Sequence, residues 1–437
     1  MKKENAMRKL NGLLFTLLLL ACLPVQAALE IRITQGIEDA YPIAVAPFVW
    51  SDDGQPPLAV DQVVSADLRR SGQFSPVARE RFPQPDVRAE NLELYRWREK
   101  KIDYVVVGAI KAQAPDFYRV EFRLFDSVKG QQLAGYAFST DRTNLRQTAH
   151  QIADLIYEAI LGIKGAFNTR IVYITTRGQG AGKRYIMQVA DSDGYNARTI
   201  LNARKPLMSP DWSPDARRIA YVSFENNRAA VYIQDVLTGE RRRVSNKPGI
   251  NGAPSWSPDG RRLALTLSGG GSPDIYVLDI DSGRLTRLTT DRAIDTEPVW
   301  MPDGQSIVFT SDRSGSPQLY RVPVSGGAPQ RLTFEGDYNA SADVSPDGRK
   351  IAMVNGDRNR FRIAVLDLET GDTQVLTNGR LDESPSFAPN GSMIIYATEE
   401  RGRGVLAAVS VDGRVRQVLV LKEGEVREPD WSPFLNP

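Results

Sequence analysis

From Arg170 onward the polar and apolar positions fall into one repeated phrase. It reads SPDWSPDARRIAYVS (209–223), APSWSPDGRRLALTL (253–267), EPVWMPDGQSIVFTS (297–311), SADVSPDGRKIAMVN (341–355) and SPSFAPNGSMIIYAT (384–398), with a shortened copy, EPDWSPF, at 428–434. The marker position is Trp212, Trp256, Trp300, Val344, Phe387 and Trp431, at steps of 44, 44, 44, 43 and 44 residues. Each unit spells four short strands, and the first ends at the marker. A Ser-Pro-Asp-Gly turn follows, in which proline presets φ for the second turn position while Asp and Gly tolerate what comes next. The second strand alternates like RRLALTL and the third reads like DIYVLDI. After a glycine turn (Gly239, Gly283, Gly327, Gly371) the fourth reads like RLTRLT. Four strands in such a period are the spacing of a β-propeller blade.

Strand numbers predict how the ring closes. Arg170 to Thr175 is a second-type strand with no first-type strand before it, and Glu428 to Pro433 is a first-type strand with no second after it. The two complete each other, so the pattern predicts six blades closed by the C-terminal strand. Closure removes the exposed ends that an open repeat array must cap.

Residues 28–165 mix two periods. Tyr41–Phe48 is a short apolar strand. Val60–Arg70 has helical spacing, with Val60, Val63, Val64, Ala66 and Leu68 on one side and Gly72 as a stop. Leu92–Lys100 predicts a second helix and Ile102–Ile110 a β-branched strand. Tyr118–Asp126 places Val120, Phe122 and Leu124 opposite Arg119, Glu121 and Arg123, a strand with one wet face. Gln132–Ser139 pairs with it, and Asn144–Leu161 is a helix with Ile152, Leu155, Ile156, Ala159 and Ile160 on its apolar stripe. The fold class expected is therefore a small α/β N-terminal domain (28–165) followed by an all-β six-bladed propeller (166–437).

Residues 1–27 read as a cleavable secretory signal peptide. Lys2, Lys3, Arg8 and Lys9 precede an apolar run, Leu13–Leu23, too short to span a bilayer, and Val25-Gln26-Ala27 supplies a small-x-small cleavage pattern. Leu19-Leu20-Ala21-Cys22 offers a competing lipobox reading, with Cys22 as a lipidated terminus.

Composition narrows the chemistry. The 437 residues carry 55 Lys and Arg against 53 Asp and Glu, one Cys and one His. Removing the leader takes away Lys2, Lys3, Arg8, Lys9 and Glu4 and leaves 51 basic and 52 acidic side chains with no cysteine. Disulfides, thiol nucleophiles, Cys-based metal sites and multi-histidine sites in a monomer are excluded. The balanced charge argues against nucleic-acid binding. Lack of cysteine suits an oxidising compartment. His150, with no Ser or Asp motif beside it, reads as a surface or packing residue.

The signal peptide, the small α/β domain and the WSPDG-type repeats together resemble the TolB family of the periplasmic Tol–Pal cell-envelope system. The phrases that carry the resemblance are IKGAFNTRIVYIT (163–175), PLMSPDWSPD (206–215), NGAPSWSPDG (251–260), TEPVW (296–300), GGAPQRLT (326–333) and LDESPS (381–386). The resemblance implies a non-enzymatic, monomeric scaffold that meets membranes only through partners. It implies docking of the peptidoglycan-associated lipoprotein, Pal, on the propeller and of TolA on the N-terminal segment, in support of outer-membrane integrity and constriction at division. Pal-facing positions would be Met208, Ser209, Ile250, Ala253, Thr296, Glu297, Asp382 and Glu383. Better-known members carry His where Ile250 stands, which puts a polar contact there in doubt.

The TolA segment would lie in Ala28–Gly36. Its own pattern alternates Leu29, Ile31 and Ile33 with Glu30, Arg32 and Thr34, which suits a strand that adds to a partner's edge or serves as an edge strand of the first domain.

In a four-stranded blade the loops joining strand four to one and two to three share a face, opposite the SPDG turns. Their variability makes them the better candidate for specificity. Asp295, Glu297, Asp337, Asp382, Glu383, Glu425 and Glu428 gather there against Lys205, Lys247, Arg292, Arg380 and Arg427, which predicts a mildly acidic funnel. No cofactor or metal is expected, beyond an adventitious cation in the channel. Gly178–Lys183 lacks the phosphate-loop spacing and reads as a hairpin loop. The alternative functions are a propeller-type hydrolase, which no GxSxG supports, and a glycan- or peptide-binding propeller using the same face.

Overall fold

The computed structural model describes residues 29–36, 39–269, 271–421 and 424–435. The leader, with Cys22 and both candidate cleavage sites, lies outside the described residues.

The first domain is built on a mixed sheet ordered Phe74–Pro76, Tyr41–Val45, Tyr104–Ala114, Phe117–Asp126 and Gln131–Asp141, with Val49–Trp50 also beside Tyr104–Ala114. Tyr41–Val45 runs parallel to both neighbours, while the last three strands are antiparallel. Strand alternation divides the side chains between two cores. Ile43, Val106, Val120, Phe122 and Leu124 pack with helices α1 (Val60–Arg70) and α3 (Leu145–Leu161). Ala44, Val105 and Val107 pack on the other face with Trp97 of the short helix α2 (Leu94–Glu99). Arg119 and Arg123 stay exposed on the wet face.

The helical stripes are displaced from the expected ones in one informative way. Ala66 and Ala159 are exposed, whereas Asp67 and Arg70 of α1 and His150 and Asp154 of α3 are buried. Those polar residues sit where the two helices meet the propeller. Helix α1 ends before Gly72, whose φ is +71°, and a Cβ built there would stand 2.2 Å from Val415 Cγ2 of the propeller. Glycine is needed here twice, for the backbone conformation and for the close approach of the two domains.

The propeller has six blades. Five begin on first-type strands, Leu207–Trp212, Asn251–Trp256, Asp295–Trp300, Tyr338–Val344 and Glu383–Phe387, each followed by its three antiparallel partners. The remaining blade is composite. Glu425–Trp431 pairs antiparallel with Arg170–Arg177, which is followed by Arg184–Asp191 and Arg198–Ala203. All six markers are buried. Trp256 illustrates their role: it shares one buried cluster with Ala220, Val231 and Ile233 of the preceding blade and Leu263 and Leu265 of its own.

The N-terminal strand, Leu29–Gln35, corrects an expectation. It does not join the first domain's sheet. It pairs antiparallel with Arg416–Leu421, the outer strand of the last blade, and makes that blade five-stranded. The physical reason lies in the edge it meets. Arg416–Leu421, like Arg198–Ala203, offers six residues of ladder, whereas the outer strands Leu285–Arg287, Gln330–Arg331 and Thr373–Val375 offer only two or three. Ile31 packs on the apolar cluster of that blade, and Arg32 forms an exposed ion pair with Glu400 at 2.6 Å.

Candidate functional site

Every first-type strand carries a β-bulge at one position. Register shifts fall between Met208 and Asp211, Gly252 and Ser255, Thr296 and Val299, Ala340 and Asp343, Glu383 and Ser386, and Arg427 and Asp430. Inside these steps Ser209, Ala253, Glu297, Ser341, Ser384 and Glu428 all adopt left-handed φ values, from +43° to +53°. Six non-glycine residues at one ring position hold a conformation that L-residues visit rarely. The bulges bend the inner strands around the channel mouth and shape a funnel of about 550 Å³.

The funnel is acidic. Its wall includes Asp211, Glu297, Asp343, Asp382, Glu383, Glu428 and Asp430, with Arg427 as the basic residue among its lining. Much of that acidity performs internal work. Glu297 accepts from Ser341 N at 2.9 Å, Ser341 Oγ at 2.8 Å and Thr310 Oγ1 at 3.0 Å, tying its blade to the next. Glu428 does the same through Ser209 N. A second tier repeats the device: Asp211 accepts Trp256 N, Asp343 accepts Phe387 N, and Asp430 accepts Trp212 N and Ser386 Oγ. Burial pushes Asp343 and Glu428 up to about 7 and Asp430 up to about 6. Asp211 is raised by burial and then by the charge of Asp430.

Of the Pal-facing positions expected from sequence, Met208, Ser209, Ala253, Glu297, Asp382 and Glu383 line this funnel. Ile250 stands outside it on the rim, 48% exposed, and Thr296 is half-buried beside Thr266. Asp382 departs from the picture of an exposed loop acid. It is 1% exposed and accepts from Thr377 and Thr398, both at 2.5 Å. Asp295 is likewise consumed: its two oxygens accept from Arg313 Nη2 at 2.9 and 2.8 Å. At the mouth Glu383 and Glu425 flank Arg427, at 4.0 and 3.8 Å, and Asp337 is exposed. Sequence reasoning named Met208 and Ile250 but missed that the apolar rim continues through Ile294 and Leu381. Ile294 and Leu381 stand at positions equivalent to Ile250, and all three are exposed, as is Met208. The 44-residue offset from Ile250 to Ile294 was the available signal.

Among the described residues, the group of side chains close enough to ligate a metal is Asp67, His150 and Asp193, remote from the funnel. His150 is a buried residue, not a surface one, and lies between the domains.

Comparison with known proteins agrees with this architecture. The family described as the TolB amino-terminal domain matches residues 29–133, and that described as the TolB beta propeller domain matches residues 157–435. The chain is 64% identical over 426 residues to the Tol-Pal system protein TolB of Thioalkalivibrio sulfidiphilus (strain HL-EbGR7), covering 96% of this chain and 98% of the relative. It is 52% identical over 434 residues to the protein of the same name from Xanthomonas oryzae pv. oryzae (strain MAFF 311018), covering 99% of each. The crystal structure of TolB from Acinetobacter baumannii superposes with a TM-score of 0.87 at 41% identity, covering 93% of this chain and all of that one. With both domains matched in order and relatives this similar along nearly their whole length, the chain belongs to the TolB family.

Proposed function

We propose that this chain is a non-enzymatic, monomeric scaffold exported to the periplasm as a component of the Tol–Pal system. It docks Pal at the propeller funnel and TolA at the N-terminal strand, and so supports outer-membrane integrity and constriction during division. It needs no cofactor and binds no nucleic acid, and it meets the membrane through its partners. No helix among the described residues is long and apolar enough to cross a membrane.

The observation that carries the reading is the pairing of an acidic funnel with an exposed apolar rim at Met208, Ile250, Ile294 and Leu381. Apolar anchors supply affinity, and complementary charge supplies orientation and on-rate. Glu297→Lys is a blunt probe, because Glu297 also ties two blades together. Ile250→Asp is cleaner, since the side chain is exposed and the backbone bond from Ile250 N to Ser268 Oγ is kept. It is expected to weaken Pal binding in calorimetry at least about tenfold with an unchanged melting temperature, as for a rim-anchoring apolar residue. Parental affinity would count against this face.

The N-terminal strand is paired on one edge, which leaves its outer edge open to a partner strand. Deleting residues 28–36 is expected to abolish capture of TolA while the propeller still unfolds cooperatively, at a urea midpoint lowered only by loss of the added strand. Capture equal to that of the intact chain would remove the strand from the reading.

A further inference from the structure

The interface between the domains holds a buried cluster that docking does not use. Helices α1 and α3 contribute Asp67, Arg70, Arg146, His150 and Asp154, and the end of the strand Arg184–Asp191 with the turn after it contributes Asp191, Ser192 and Asp193. Arg70 donates to Asp67 Oδ1 at 3.0 Å and reaches across to Ser192 O and Oγ at 3.2 and 2.8 Å. Arg146 pairs with Asp193. His150, 2% exposed, lies between the two acids: Nδ1 is 2.6 Å from Asp67 Oδ2, and Nε2 is 3.8 Å from Asp193 Oδ2 with no hydrogen-bond partner.

That geometry discriminates between protonation states. Neutral imidazole donates from one nitrogen and carries a lone pair on the other. With the proton on Nδ1, the Nε2 lone pair faces Asp193; with the proton on Nε2, the Nδ1 lone pair faces Asp67. Imidazolium alone offers a proton to both carboxylates. We propose that His150 is a proton-operated clasp between the domains: protonated, it joins Asp67 of the first domain to Asp193 of the propeller; neutral, it keeps Asp67 and releases Asp193. The arginine contacts persist in both states, so the clasp changes how tightly the domains are held rather than whether they are joined.

The surrounding charges favour the protonated form. Burial pulls the imidazole down, but Asp67, by charge and hydrogen bond, and then Asp193 outweigh it and hold it above its ordinary value, with Arg70 opposing. The other groups facing it are Arg146, Asp154, which burial raises to about 6, and Asp191, also raised by burial. A group raised on folding contributes fully below its ordinary value, and the contribution is lost as pH rises through the folded value. A metal is the poorer occupant, because Arg70 and Arg146 already neutralise the two carboxylates.

His150 is the sole histidine, so its Hε1 resonance needs no assignment in residues 28–437 carrying a histidine-free tag. Titration is expected to place it above the ordinary value near 6.5. Asp193→Asn is expected to lower it by about one unit, a tenfold loss of proton affinity. Dyes on Tyr136→Cys in the first domain and Leu237→Cys in the propeller, both exposed sites, report domain motion by single-molecule energy transfer. The distribution should be narrow at pH 5.5 and broader at pH 8.5 in the parent, and independent of pH in His150→Gln. A histidine that titrates below 6.5, an unchanged value in Asp193→Asn, or equal widths at both pH values in the parent would overturn the clasp. A resonance moved by EDTA would replace the proton with a metal and overturn it too.

Discussion

Trp256→Ala should destabilise the propeller by about 3–5 kcal/mol, the cost of removing a large buried aromatic from a site that cannot collapse. Trp256 is 5% exposed and belongs to a buried cluster that joins two blades, with Ala220, Val231 and Ile233 of one and Leu263 and Leu265 of the other. Arg218 caps its ring at 4.6 Å and would lose that contact as well. Neither blade can move in to fill the void, because Asp211 of the preceding blade fixes the backbone N–H of residue 256 at 2.7 Å and the ring is closed through Glu425–Trp431. The indole nitrogen of Trp256 has no hydrogen-bond partner, whereas that of Trp300 donates to Ser255 O at 3.1 Å. Trp256→Phe should therefore cost less than Trp300→Phe, by about 1 kcal/mol, the net worth of one hydrogen bond. Urea melts of the three variants beside the parent measure both effects. A Trp256→Ala midpoint equal to the parent's would contradict the role given to the marker position.

The ring was legible because a propeller writes its blade six times. One marker residue and one Pro-Asp-Gly turn are weak evidence singly, but their spacing fixes blade number, strand order and closure together. Features that do not recur, or that recur without a distinctive residue type, were not legible. The six left-handed positions hold Ser, Ala, Glu, Ser, Ser and Glu, and none is the glycine that would announce such a backbone. Five of them precede proline, a context that favours extended backbone and so points the wrong way. The N-terminal alternation shows which side of a strand is apolar, but period two carries no information about which edge the strand will meet. Asp382 reads as a loop acid until Thr377 and Thr398 are seen to close around it. His150 finds its partners 83 residues before it and 43 after it, in another domain.

Lowering the pH from 8 to 5.5 should make the propeller more resistant to urea, against the usual loss of stability on acidification. The buried carboxylates of the funnel explain the sign. Asp343 and Glu428 are raised to about 7 and Asp430 to about 6, so in this window the folded ring binds protons that the unfolded chain, with ordinary carboxyls near 4, does not. Stability then rises as pH falls through those values, and the gain is complete only near the unfolded carboxyl range. Asp430→Asn should remove part of this dependence and stabilise the ring at pH 8. The gain should stay below about 3 kcal/mol, the worth of two pKa units, because the variant gives up the charge-assisted character of the bonds to Trp212 and Ser386. An asparagine in the same place would accept Trp212 N through its oxygen and donate to Ser386 Oγ, so the cross-blade link survives. Asp211, which burial and then the charge of Asp430 hold above the ordinary carboxyl range, would lose the second of those causes. Urea midpoints of parent and variant at the two pH values decide the matter: a parent less stable at pH 5.5 than at pH 8, or a variant less stable than the parent at pH 8, would refute it. Carboxylates that weaken the free ring are the groups a docked basic side chain would relieve, so the stabilised Asp430→Asn protein should also bind a basic partner more weakly.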